Sequence, residues 1–147
     1  ISKKGQFTKD ELVKAIDDDT TAFDKVIKAM RMPKDTEKEK ETRENKMQKG
    51  YQSATLVPLK TVEDCRNALQ ICLDISDIMD EGMASDVGSG ALMANAGAIS
   101  AAYNVRINLK SITDKKFSNN TEKKLAELLS DCEELLEKIS KNVEECL

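Results

Sequence analysis

The chain is 147 residues long, 39% hydrophobic and 34% charged, with a net charge of -4, enough for one globular domain with a real core beneath a heavily charged surface. It contains no histidine, which excludes Ser-His-Asp and Cys-His catalysis and any histidine-ligated zinc in this chain, so acid–base chemistry falls to Asp, Glu, Lys, Cys or Tyr. The acidic balance argues against a nucleic-acid partner, and the cysteines Cys65, Cys72, Cys132 and Cys146 form no CxxC pair, so they read as small buried residues in a reducing compartment rather than a zinc or redox motif.

No signal peptide is visible, and the first residue is Ile1 rather than Met, which suggests a fragment, a processed product or an incomplete sequence. The first helical segment runs from about Phe7 to Met30. Leu12, Ile16, Phe23, Val26, Ile27 and Met30 recur at helical spacing, and Pro33 ends the segment because the residue before a proline resists the helical conformation. Asp35 and Thr36 then offer an N-cap, and Thr36 with Glu39 fits a capping box. Glu37 to Met47 is nearly all charge and reads as a solvated helix or mobile arm. Met47, Tyr51 and Ala54 return this second helix to the core, and Pro58 is expected to close it.

Thr61 is expected to cap a third helix, with Glu63 and Asp64 in its first turn. Val62, Cys65, Leu69, Cys72, Ser76 and Met79 form its stripe, and Gly82 is its expected C-cap. A fourth segment opens at Ser85-Asp86, and from Val87 to Val105 it carries no charge. That length could suggest a membrane span. Ser89, Asn95, Ser100 and Asn104 are polar, however, and Gly and Ala replace the bulky residues that a span would use. The better account is a buried helix whose Gly90, Ala94, Gly97 and Ala101 let neighbouring backbones approach. A helix without a charged face must be covered on most sides, which predicts a homodimer packed around it. Ile112 to Asn120 reads as a loop. Glu122 to Leu147 is an amphipathic helix with Leu125, Leu128, Leu129, Cys132, Leu135, Leu136, Ile139 and Val143 on its stripe. With no period-two alternation, the predicted fold is all-α, an antiparallel helical bundle.

Two groups of residues are candidates for chemistry. On a helical wheel at roughly 100° per residue, Asp19 falls in the sector of Leu12, Ile16, Phe23, Ile27 and Met30, while Asp17, Asp18 and Asp24 project elsewhere. A carboxylate among apolar neighbours is costly unless paired, and burial raises its pKa toward values useful for proton transfer. A structural aspartate held by a Lys, an Arg or a helix end is the alternative. The second group is Asn104, Arg106 and Asn108 with Tyr103, at the end of the uncharged helix. Two amides and a guanidinium suit a heterocycle with amide-like edges and a carboxylate tail, or they satisfy neighbouring helix ends. Asp86, at the start of that helix, is a weaker candidate that also reads as a first-turn acid.

Read together, IDDDTTAFDKVIKAMRMPKDTEKEKETR, VPLK and ASDVGSGALMANAGAISAAYNVRINLKSITD resemble the cyclodeaminase domain of the formiminotransferase-cyclodeaminases, shared with the methenyltetrahydrofolate cyclohydrolases. The resemblance covers the chain from about Lys4 to its end. It rests on D-x-D-x-x-A-F, L/M-P-K and N-V-x-I-N-L in that order. It implies an all-helical homodimer or a higher oligomer of such dimers, and a single domain over residues 1–147. It implies a tetrahydrofolate substrate and conversion of 5-formiminotetrahydrofolate to 5,10-methenyltetrahydrofolate plus ammonia. A formiminotransferase domain is fused or partnered in the bifunctional members. The resemblance assigns proton transfer to the second Asp of D-x-D-x-x-A-F, which is Asp19 here. No metal or cofactor is implied beyond the folate itself, and the location implied is cytoplasmic. The family's N-terminal glycine-rich hairpin, with its P-G-G-G-S element, has no counterpart in this chain. On this reading Asn104 or Asn108 holds the pterin edge, Arg106 the glutamate end, and Asp86 joins the substrate site. Cyclohydrolase activity and a non-catalytic helical module are the alternatives.

Overall fold

The computed structural model describes every residue from Ile1 to Leu147. The chain forms four helices and no strand: α1 (Ser2–Met30), α2 (Glu37–Ser76), α3 (Glu81–Leu109) and α4 (Lys115–Cys146). The all-α expectation holds, with four helices in place of five. No helix is long and apolar enough to cross a membrane.

The difference lies at Pro58, which does not end a helix but sits inside α2. A proline in a helix interior deletes the N–H that would bond to the carbonyl four residues earlier, here that of Ala54. The side-chain amide of Asn108 on α3 donates to this carbonyl at 2.9 Å. A neighbouring helix thus supplies the donor that the proline removed, and α2 runs on for another five turns. Thr61 is consequently no N-cap, and its hydroxyl donates back to the carbonyl of Val57. The other boundary shifts have local causes. Asp80 rather than Ser85 starts the third helix, which takes in Gly82. Asp114 caps α4 by accepting from the Phe117 N–H at 3.0 Å, so most of the expected loop is helical. The Thr36–Glu39 capping box forms as read, with reciprocal bonds at 3.2 and 2.9 Å.

The helices alternate in direction. Gly90 and Gly97 of α3 face Cys72 and Cys65 of α2, so these two helices are antiparallel. Glu63–Lys124, Arg66–Asp131 and Ser76–Asn142 run in step, so α2 and α4 are parallel. The buried residues of the main core all lie on these three helices, with Val62, Leu69, Ala91, Ala98, Val105, Leu125 and Ile139 among them, and the half-buried Leu12 of α1 packs against it. Each such Leu, Ile or Val contributes about 1.5–3 kcal/mol by leaving water. Gln48 ties α2 to the α3–α4 link. It donates to the Ser111 carbonyl at 3.0 Å and accepts from the Thr113 N–H at 2.9 Å.

α1 packs against α2 alone. The two meet in a small separate core of Ala22, Val26 and Ala54. At Gly50 the approach is so close that a Cβ would lie 3.0 Å from Val26 Cγ2 and 3.3 Å from the Val26 backbone. The small-residue face predicted for α3 also packs as expected, against the cysteines of α2. The full covering predicted for α3 is not met within one chain. Leu92, Met93, Ile99, Tyr103 and Ile107 remain exposed, Met93 by 76%.

Candidate functional site

Asp19 occupies the middle of α1. The residues that seat α1 on α2 are Thr8, Leu12, Ala15, Ala22, Val26 and Ala29, spaced alternately by four and three. Asp19 takes the one position of this repeat that is left open, and its side chain is exposed. The expectation that it is buried among apolar neighbours is therefore corrected. Leu12 and Val26 of the expected stripe do face α2, in company with the small Ala15, Ala22 and Ala29 that the close approach at Gly50 admits. Three of its other large residues, Ile16, Phe23 and Met30, point outward, Ile16 by 69%. Asp19 thus borders an apolar surface strip that nothing in the single chain covers. Of its two acidic neighbours, Asp18 pairs with Lys14 at 3.7 Å and Asp17 is exposed. Asp19 makes no ion pair or side-chain hydrogen bond, which leaves both of its oxygens available to a substrate proton.

The α3 candidates separate. Asn108 is engaged with the Ala54 carbonyl, a structural bond that spends one of its two N–H groups. Asn104 is exposed beside Tyr103 and Ile107 on the uncovered strip of α3. Arg106 is half-exposed and pairs with Glu122 of α4 at 3.3 Å. It also lines a cavity of about 300 Å3 between α3 and α4, together with Asn95, Tyr103 and Glu133. Asp86 lies exposed in the second turn of α3 rather than in the first turn where it was expected. Because α1 touches only α2, one chain does not bring Asp19 together with Asn104, Arg106 or Asp86.

One ion pair, between a buried carboxylate and a half-exposed lysine, escaped the sequence reading. Asp64, 3% exposed, accepts from the Lys60 ammonium one helical turn away. Burial works against the Lys60 charge, but the hydrogen bond and charge of Asp64, with Glu63 and Glu11 nearby, outweigh it and raise its pKa above the ordinary lysine value. The pair faces Glu11, Lys14 and Asp18 of α1 across a cavity of about 190 Å3. Its signal was the four-residue spacing of Lys60 and Asp64. Taking Pro58 as a helix end hid that spacing, since it made Asp64 a first-turn acid. The four cysteines are free, with Cys65 and Cys132 buried. Burial pushes the Cys132 thiol up to about 11, with the nearby Cys65 and Asp131 adding to the rise. No three Cys, Asp or Glu side chains converge closely enough to hold a metal ion.

Comparison with known proteins bears on this geometry. The family described as formiminotransferase-cyclodeaminase matches residues 1–127. Methenyltetrahydrofolate cyclohydrolase of Methylorubrum extorquens is 34% identical over 143 residues, covering 97% of this chain and 69% of its own. Formimidoyltransferase-cyclodeaminase of Gallus gallus is 35% identical over 125 residues, or 85% of this chain and 23% of its own. Among solved structures, a formiminotetrahydrofolate cyclodeaminase of Thermotoga maritima superposes with a TM-score of 0.83 at 24% identity, over 95% of this chain and 66% of that one. The chain therefore spans about two thirds of the shorter relatives and under a quarter of the bifunctional one.

Proposed function

The chain belongs to the formiminotransferase-cyclodeaminase family, and on that premise we propose that it is a folate enzyme that closes a one-carbon bridge between the 5- and 10-position nitrogens of tetrahydrofolate, releasing ammonia from the 5-formimino group. The observation that carries this reading is the family match across residues 1–127, which takes in Asp19, Pro58 and Asn108 together. The 10-position nitrogen attacks the formimino carbon and must lose its proton, while the departing nitrogen must gain one. A single carboxylate serves both needs in turn, and Asp19, with no internal partner, is the group assigned to it. Holding the two reacting atoms together supplies much of the acceleration. No metal or redox cofactor enters the scheme beyond the folate.

Asp19 needs a drier setting than one chain gives it. The exposed strips Ile16–Phe23–Met30 on α1 and Leu92–Ile99–Tyr103–Ile107 on α3 suit a second copy. A homodimer would also place Asp19 near residues that a single chain keeps apart, with Asn104 and Arg106 available to bind the folate and Asp86 as a further contact. The setting we propose is cytoplasmic, with a formiminotransferase domain as a fused or separate partner. Purified protein given 5-formiminotetrahydrofolate is expected to release ammonia in step with the absorbance of 5,10-methenyltetrahydrofolate. Asp19→Asn is expected to keep its helical content and lose turnover by about 10²–10⁴-fold; near-normal turnover would remove the proton-transfer role.

The second reading is cyclohydrolase, in which water attacks the methenyl carbon and the bond to the 5-position nitrogen opens. It is favoured by the Methylorubrum relative, which matches nearly the whole chain. Loss of methenyl absorbance without any ammonia chemistry would select it.

A further inference from the structure

The end of the α1–α2 pair opposite the two chain ends holds a cleft that neither reading uses. Its volume is about 430 Å3, and Lys25 and Lys28 of α1 and Lys46 and Lys49 of α2 line it above a floor that includes Ala29 and Gly50. The two lysines on each helix are three residues apart, so each pair shares a face. The Gly50–Val26 contact holds the two faces against each other. No carboxylate and no arginine lines the cleft, although the chain has 27 acidic residues against 23 basic ones. None of the four lysines is in an ion pair. Four residues before or after them, where a helix places counter-charges, stand Thr21, Met32, Thr42, Asn45 and Ser53. Asp24 alone is acidic, and it does not pair with Lys28. Arg43, nearby, is tied to the Met30 carbonyl at 3.2 Å.

Like charges gathered without counter-ions repel one another, and an anion that replaces their water relieves that repulsion. We propose that this cleft binds a small organic anion carrying two or more phosphate groups. Two phosphates carry about -3 to -4 at neutral pH, which matches four ammonium groups. Lysines act as movable point charges suited to phosphate oxygens, whereas planar two-pronged recognition of carboxylates uses the arginines that this cleft lacks. The aliphatic lysine stems, with Ala29 and Met32, leave an apolar wall for the organic body of the ligand.

Titration calorimetry of the full chain at low ionic strength, with pyrophosphate and tripolyphosphate as probes, tests the assignment. Saturable binding at one site per chain is expected. Lys28→Gln with Lys49→Gln, and separately Lys25→Gln with Lys46→Gln, should each weaken it by about tenfold or more. Lys123→Gln with Lys141→Gln, on α4, should leave it unchanged. All six lysines are exposed, so unaltered circular dichroism is expected for each variant. Absence of saturable binding, an equal loss in the α4 control, or binding of citrate or triglutamate as tight as that of tripolyphosphate would each overturn the proposal.

Discussion

Asn108 has a structural task within the single chain. Its type and its spacing from Asn104 suited either ligand recognition or a neighbouring helix, and one of its N–H groups serves the carbonyl that Pro58 leaves bare. Removing it should leave a buried acceptor unsatisfied, so Asn108→Ala is expected to cost about 1–3 kcal/mol in urea unfolding. In a Pro58→Ala background the helix regains its own N–H, and the same substitution should cost markedly less, a coupling that a double-mutant cycle reads directly. Cys132 gives a second test at this scale. Its thiol is raised from 9.0 to about 11 in the folded protein, so the folded state holds its proton more tightly than the unfolded chain does. The resulting stabilisation is present in full below pH 9 and is lost as the pH rises toward 11. Wild type should lose stability over that window more steeply than Cys132→Ala. Asp19 was legible as the acid that breaks an apolar repeat. Its exposure was not, because a wheel gives angles and says nothing of what stands opposite.

Helix type was written plainly into the chain, since long 3.6-residue patterns with two prolines and few glycines permit little else. Boundaries were legible where a side chain caps the backbone locally, as at Thr36 and Glu39. They were lost where a partner from another helix decides the outcome, as Asn108 does for Pro58. The α1 face was read in part: Leu12 and Val26 do face α2, but the close approach selects small residues beside them where the wheel favoured Ile16 and Phe23. Gly50→Ala tests that approach. On an exposed helix this change would gain about 1 kcal/mol, but here the new Cβ meets the backbone of Val26 at 3.3 Å. Net destabilisation is expected, seen as a lower melting temperature and earlier loss of α1. Leu69→Ala, in the main core, should cost about 2–5 kcal/mol.

At the scale of the molecule, the bundle and its small-residue α3 could be foreseen, while the division of candidate residues between its two sides could not. Asp19 stands on a helix that meets only α2, and Arg106 looks toward α4. If a second copy completes the site, Ile107→Lys on the exposed strip of α3 should give a monomer by light scattering and should lower turnover along with dimer content. Turnover that survives in a stable monomer would place the whole site within one chain.

The two cores share no buried residue, and none of the larger one comes from α1. The first helix is thus a strut laid along a three-helix body, reaching its larger core through the half-buried Leu12. Brief trypsin treatment should nick the exposed Arg31–Lys34 link and leave a protected fragment beginning near Thr36, which retains its own sharp thermal transition after the strut has been washed away.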